Sequence, residues 1–290
     1  MPARFASTLA DAPIGVFDSG LGGLTVVRAV LERCPAERIV YLGDTARVPY
    51  GTRSKETVIR YASRCAAVLM NAGIKALVVA CNTVSAVALD MLRVDFDLPV
   101  LGVIEPGARA AIDAMRARPP EAPLCPIGIL GTQGTIASGA YPQAVARLST
   151  RYEVCGQAAP LLVPLVEEGW TFGDVPELAV ARYLAPLIEA KVRVIVLGCT
   201  HYPLLKETIE RVAARLAGEP VAVVDSAHAT AEELASWLGA GTITPSRRAP
   251  SGERLELLVT DLPASFQAAA ERFLGRSVPE ARQIDLSIDG

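Results

Sequence analysis

The chain has 290 residues, enough for two domains or one large α/β unit, and with 51% apolar and 20% charged residues it is neither disordered nor collagen-like. Its 28 Lys and Arg against 31 Asp and Glu leave a net charge of −3. With no basic run, the footprint of a nucleic-acid or anionic-membrane binder is missing, and a small-molecule partner is expected.

Met1 to Ala12 hold no apolar core of a signal peptide, so the chain is expected to stay in the cytoplasm. From there, short β-branched runs alternate with longer amphipathic segments, the pattern of βα units around a mostly parallel sheet. The expected strands are Ile14–Phe17, Ile39–Leu42, Ala76–Ala80, Val100–Val103, Ile127–Leu130, Tyr152–Cys155, Val194–Leu197, Val221–Val224 and Leu255–Val259. Ser54 is placed to cap a helix whose stripe Val58, Ala62, Cys65 and Leu69 runs to Gly73. Asp174-Val-Pro-Glu177 reads as a capping box. The uncharged stretch Ala122–Ala146 is long enough to span a bilayer, but Pro123, Pro126, Gly128, Gly131 and Pro142 break it into short pieces.

The chain echoes itself. Ile14-Gly-Val-Phe-Asp-Ser-Gly20 corresponds to Ile127-Gly-Ile-Leu-Gly-Thr-Gln133, and Ile74 to Thr83 corresponds to Val192 to His201. The two spans differ by a few residues, which one loop insertion absorbs. Two similar α/β lobes are implied, each with a mostly parallel sheet flanked by helices and each with a cysteine at the same place. The Pro-rich stretch Arg116–Pro126 suggests a crossing, with the boundary slightly upstream. Residues 13–104 and 220–275 are assigned to the first lobe, 105–219 to the second, and 1–12 and 276–290 to terminal extensions.

In open parallel sheets, functional groups gather at the carboxyl ends of strands. Asp18-Ser-Gly-Leu-Gly-Gly23, Asp44 to Gly51, Cys81-Asn-Thr83, Gly131-Thr-Gln-Gly-Thr135 and Cys199-Thr-His-Tyr-Pro203 all fall there. Their backbone N–H groups and hydroxyls suit a small carboxylate. Gly20-Leu-Gly-Gly23 lacks the third glycine of a dinucleotide fingerprint, and neither glycine loop continues into a phosphate loop. For Asp18 and Asp44, simple N-capping is the competing explanation.

The six cysteines form no C-x-x-C pair and there are only two histidines, which argues for a reducing compartment and against structural zinc. Cys65 and Cys155 read as buried hydrophobes, Cys34 and Cys125 as bystanders. Cys81 and Cys199 each end a strand and open a helix, where the N-terminal partial charge is expected to lower a thiol pKa. His201 stands two residues after Cys199, with Thr83 at the matching place after Cys81. His228 reads as a helix-start residue, and Glu167 and Glu168 as carboxylates at the end of an apolar run.

Together these motifs resemble glutamate racemase, a family of cofactor-independent enzymes. The resemblance runs from about residue 13 to 262 through Asp-Ser-Gly-x-Gly-Gly at 18–23, Asp-Thr-x-x-x-Pro-Tyr-Gly at 44–51, Ala-Cys-Asn-Thr at 80–83, Gly-Thr-x-x-Thr at 131–135, Pro-Leu-Val-Glu at 164–167 and Gly-Cys-Thr-His-Tyr-Pro at 198–203. It implies an active site in the cleft between the two lobes, with Cys81 taking the α-proton of D-glutamate and Cys199 that of L-glutamate. Asp18, Glu167 and His201 would assist the thiols, with Glu168 as the competing register for Glu167. Asp18, Ser19, Pro49, Tyr50, Gly51, Asn82, Thr83, Thr132, Thr135, Thr200 and His201 would bind substrate. The resemblance further implies D-glutamate supply for peptidoglycan, no cofactor and no metal, glutamate as the small-molecule partner, and a homodimer.

The chemistry fits. Removing an α-proton without an imine-forming cofactor requires a base in contact, a closed site and donors where enolate-like charge develops. No lysine sits in the five loops, which counts against a pyridoxal Schiff base. An aspartate or hydantoin racemase, a Cys199–His201 hydrolase and a two-lobed binding protein are the alternatives. The hydrolase leaves Cys81 without a role, and a binding protein leaves both cysteines without one.

Overall fold

The structure is a computed structural model that describes residues 10–247 and 252–286. Among the described residues, ten strands form two sheets. The first lobe contains β1 (Ile14–Asp18), α1 (Leu24–Arg33), β2 (Ile39–Gly43), α2 (Lys55–Asn71), β3 (Ala76–Val79), α3 (Asn82–Val87), α4 (Leu89–Asp95) and β4 (Val100–Gly102). The second contains α5 (Ile104–Arg116), β5 (Ile127–Gly131), α6 (Gln133–Ala137), α7 (Ala140–Leu148), β6 (Val154–Ala158), α8 (Leu162–Glu167), α9 (Asp174–Glu189), β7 (Val194–Gly198), α10 (Lys206–Ala217) and β8 (Ala222–Asp225). The chain then adds α11 (Ser226–Gly239), β9 (Leu255–Val259), α12 (Phe266–Leu274) and β10 (Ala281–Gln283).

All neighbouring strands pair in parallel. The first sheet has the order β10-β9-β2-β1-β3-β4 and the second β6-β5-β7-β8. The block β2-β1-β3-β4 and the block β6-β5-β7-β8 are the same arrangement used twice, with Ile14 of β1 facing Ala76 of β3 as Ile127 of β5 faces Val194 of β7. The internal echo is therefore a repeated βα topology as well as a repeated sequence.

Covered sheets demand apolar side chains on both faces, and period-two alternation sorts them. Val16 and Val78 join a core that continues into the second lobe through Leu130, Ile195 and Leu197. Phe17, Leu77 and Val79 face the opposite side of the first sheet, beneath the Val58, Ala62, Cys65 and Leu69 stripe of α2. Ile127, Ile129, Val194 and Val196 do the same in the second lobe beneath α5 and α7. Ser54 caps α2 by accepting from the Thr57 N–H at 3.3 Å.

Several expected boundaries differ. The Val221–Val224 segment, expected in the first lobe, forms β8, which pairs with β7 in the second sheet; the chain rejoins the first only after it, with α11 against α1 and β9 against β2. Residues 281–283, expected in a terminal extension, form β10, which pairs with β9 as an edge strand of the first sheet. The strand expected at Tyr152–Cys155 runs instead over Val154–Ala158, because pairing with β5 sets its register. Asp174 is inside α9 rather than at its cap, which is Gly173 at φ 94°, and Glu177 reaches Arg211 and Arg215 instead of folding back.

At the amino ends of the first sheet, Lys75 Nζ lies 2.6 Å from the Glu37 carboxylate, both residues buried. Lys75 also donates to the carbonyls of Ala10 at 2.7 Å and Thr244 at 2.9 Å, while Glu37 accepts from Ser246 N at 2.8 Å. Removing one member strands a buried charge, so Lys75→Ala should lower the unfolding free energy by about 3–5 kcal/mol in a urea titration. The double variant Lys75→Met/Glu37→Leu should cost less than Lys75→Ala alone.

Candidate active site

Four strand ends converge between the lobes. Ser19 follows β1, Cys81, Asn82 and Thr83 follow β3, Thr132 follows β5, and Cys199, Thr200 and His201 follow β7; all line one narrow cavity of about 50 Å³. Pro49, Tyr50 and Gly51 reach it from the loop after β2, and the half-exposed Glu167 from the end of α8. An adjoining apolar cleft of about 310 Å³, walled by Val48, Pro160, Val163 and Pro164, shares Gly51, Thr132 and Glu167 with the cavity. Clefts of about 700 and 510 Å³ elsewhere contain neither thiol.

Two expected binding residues stand one layer back. Thr135 is buried behind Thr132 and Thr83, with its hydroxyl 3.0 Å and 3.4 Å from theirs. Asp18 is buried beside the cavity; its Oδ2 accepts from Gly20 N at 3.0 Å and its Oδ1 has no partner. Tyr50 borders the cavity, but its hydroxyl donates to Asp44. Asp44 is no simple N-cap: its carboxylate also accepts from Thr260 Oγ1 at 2.8 Å and pairs with Arg47 at 2.8 Å. Of the two adjacent glutamates, only Glu167 lines the cavity.

The lobes are stitched together at this level. Thr83 Oγ1 lies 3.0 Å from Thr132 Oγ1, and Thr25 Oγ1 donates to the Thr200 carbonyl at 3.1 Å. Gly22 sits so close to Thr200 and His201 that a Cβ would collide with both side chains. A Cβ on Gly51 would stand 2.9 Å from that of Thr132. These glycines are required for close approach across the cleft.

The two thiols have different surroundings. Cys81 Sγ donates to Ser19 Oγ at 3.4 Å. Cys199 Sγ stands 3.9 Å from His201 Nδ1, and His201 Nε2 lies 3.0 Å from Glu167 Oε1. The Phe273 ring meets the imidazole edge-on at 5.0 Å between centroids.

Sequence position argues for a lowered thiol pKa at Cys81, and the structure reverses this. Burial, then the charge of Asp18, pushes Cys81 up to about 12, against weaker opposing help from Ser19 and the Val84 N–H. The helix it opens has only six residues, too short for its dipole to prevail. Burial likewise raises the Asp18 carboxyl. At His201, burial works to lower the pKa, but hydrogen bonds and charge from Cys199 and Glu167 outweigh it and raise the value to about 10.

Sequence reading missed the contributions of Thr25, Tyr141 and Phe273. Thr25 and Phe273 follow helical apolar spacing and so look like core. Tyr141 donates to Asn82 Oδ1 at 2.8 Å. A phenol on the apolar face of a short helix was the available signal, since a buried Tyr hydroxyl needs a partner.

The family model for Asp/Glu/Hydantoin racemase matches residues 14–234. The chain belongs to this racemase family. A glutamate racemase of Geobacter metallireducens is 46% identical over 278 residues, covering 95% of this chain and 97% of the relative. Glutamate racemase isoform RacE1 from Bacillus anthracis superposes with a TM-score of 0.86 at 37% identity, covering 97% of this chain and 100% of that one. Glutamate racemase from Francisella tularensis, solved in complex with D-glutamate, gives a TM-score of 0.84 at 33% identity, covering 96% and 99%. This member of the racemase family is an isomerase, an amino-acid racemase, with the two-sheet α/β fold of its relatives. Among the described residues, no helix is long and apolar enough to cross a membrane.

The His201 pairing makes stability depend on pH. With the folded pKa at about 10 against an ordinary 6.5, its contribution is fully present below about pH 6.5 and is lost as pH rises toward 10. Unfolding free energies measured across that window should fall for the parent and fall less steeply for His201→Asn. Equal slopes would contradict the pairing.

Proposed function

We propose that this racemase interconverts L- and D-glutamate without a cofactor, using Cys81 and Cys199 as a pair of acid–base groups. The observation that carries this reading is the pair of cysteines at corresponding ends of β3 and β7, both lining one narrow cavity. Starting from D-glutamate, the Cys81 thiolate takes the α-proton and the Cys199 thiol delivers a proton to the opposite face, leaving Cys81 as thiol and Cys199 as thiolate. Running from L-glutamate, the roles exchange.

The free Cys81 thiol is too weakly acidic to serve unaided, at about 12. The substrate's ammonium group, entering beside the unpartnered Asp18 Oδ1, supplies the positive charge that favours thiolate. Negative charge then grows on the α-carboxylate, where the free Asn82 Nδ2 and the hydroxyls of Ser19, Thr83, Thr132 and Thr200 are the available donors. His201, backed by Glu167, holds a proton beside Cys199. We extend the reading to a cytoplasmic homodimer whose D-glutamate enters peptidoglycan and so cell shape. The row Cys199–His201–Glu167 also outlines a hydrolytic relay, but that use leaves Cys81 and Ser19 idle.

Polarimetry with each enantiomer of glutamate and aspartate tests the substrate, and turnover confined to aspartate would overturn it. In heavy water, product should carry deuterium at the α-carbon while recovered substrate stays protiated at early times. Cys81→Ser and Cys199→Ser should each abolish nearly all racemisation, because a serine hydroxyl is a far weaker acid than a thiol. Replacing Cys34, Cys65, Cys125 or Cys155 should alter stability at most; full turnover by either serine variant would show that other groups move the proton.

Activity should also survive exhaustive dialysis against a chelator. Among the described residues no three His, Cys, Asp or Glu side chains converge as a metal site. Recovery of turnover only on adding back a divalent metal would refute the cofactor-free reading.

A further inference from the structure

Asn82 opens α3 in the first lobe and lines the cavity, yet its side chain is held from the other lobe. The Tyr141 hydroxyl, on α7, donates to Asn82 Oδ1 at 2.8 Å. Both residues are shut off from solvent, with 1% of Tyr141 and 2% of Asn82 exposed. With Oδ1 taken, Asn82 Nδ2 is left as a buried donor without a protein partner. An unsatisfied buried amide costs free energy unless something arrives to accept from it.

The tyrosine is itself wedged. A Cβ at Gly107 would stand 3.2 Å from its hydroxyl oxygen, and one at Gly198 would stand 3.3 Å from its ring. Two glycines on α5 and β7 thus leave room for a phenol in one position. Burial, the largest influence on Tyr141, raises its pKa, so it remains a protonated donor at all working pH values. An asparagine without such a neighbour can present either its carbonyl or its NH2 group to a ligand, because the two orientations have nearly the same shape.

We infer that Tyr141 is a positioning residue for racemisation: by donating to Asn82 Oδ1 across the lobe boundary, it fixes the Asn82 NH2 group toward the substrate carboxylate. This rests on the proposed acid–base reading, in which charge grows on that carboxylate during proton transfer. A donor locked in place before substrate binds needs no reorientation as that charge develops, so the benefit falls on the chemical step. Tyr141 borders Asn82 from behind and is absent from the cavity wall, so its hydrogen bond reaches the cavity through Asn82.

A double-mutant cycle tests the assignment. Tyr141→Phe should lower kcat/KM roughly tenfold, chiefly through kcat. In an Asn82→Ala background the same change should alter turnover less than twofold, because the group it orients is gone. Equal losses in both backgrounds, or parental kcat in Tyr141→Phe, would overturn the proposal.

A second measurement depends neither on turnover nor on the phenylalanine variant folding. In the 15N-labelled parent, the Asn82 side-chain amide is identified as the signal missing from Asn82→Ala. Its protons should show at most a weak nuclear Overhauser contact with the Tyr141 ring, since the carbonyl oxygen and not the NH2 group is turned toward the phenol. A strong contact would mean that the NH2 group faces the tyrosine and would refute the inference. If the parent fails to racemise glutamate while this contact is weak, the substrate assignment is wrong and the orientation of Asn82 stands.

Discussion

The centre of this molecule depends on how closely loops from two lobes approach each other. A cavity of about 50 Å³ holding two thiols and their donors exists because glycine occupies the points of contact: Gly22 beneath Thr200 and His201, and Gly51 against Thr132. With the backbones this close, side-chain hydroxyls of one lobe reach partners in the other. Thr25 bonds the Thr200 carbonyl, Thr83 meets Thr132, and Tyr141 reaches Asn82. The same closeness removes water, and removing water is what drives the Cys81 thiol and the Asp18 carboxyl toward their neutral forms. Packing and electrostatics at the site are therefore one constraint.

Much of this was legible in the residues because strand and loop repeat together. Ile14 to Gly20 and Ile127 to Gln133 are followed, after similar spans, by Cys81 and Cys199, and two parallel sheets of matching order result. Hydrophobic runs reveal that a strand exists but not which sheet accepts it. The segment at Val221 had two possible partners, and only its pairing with β7 assigns it to the second lobe. The short exposed β10 carries Arg282 and Gln283, too polar to announce a strand, and is defined by the edge it completes. At the site, position in a loop marked Cys81, Asn82, Thr83, Cys199 and His201, since strand ends are where backbone donors are free. Thr25 sits on a helix with ordinary amphipathic spacing, so nothing local separates it from core, and the Tyr141 phenol signals only that some buried partner exists. The thiol environment was the least readable, because a helix N-terminus is visible in a sequence and desolvation is not.

The pseudo-symmetry of the lobes stops at the thiols' neighbours. Cys81 has a serine hydroxyl and the Asp18 carboxyl beside it, whereas Cys199 has an imidazole backed by a carboxylate and by the Phe273 edge. His201 and Glu167 lie within the second copy, with Thr83 at the first copy's place for His201, while Phe273 belongs to α12, which follows the second copy and packs on α1. A duplicated scaffold supplies two equivalent positions, and the different residues that each copy places beside its thiol make them chemically distinct.

That inequality meets a limit set by thermodynamics. Mirror-image amino acids have equal free energies in water, so at equilibrium a racemase leaves them in equal amounts whatever its architecture. The ratio kcat/KM must then be the same in both directions. The His201–Glu167 pair, present on one side only, can make the maximal rates of the two directions differ only if the two KM values differ in the same proportion. The lopsided site therefore sets the concentration at which each enantiomer saturates the enzyme, and the final balance between the two hands lies beyond its reach.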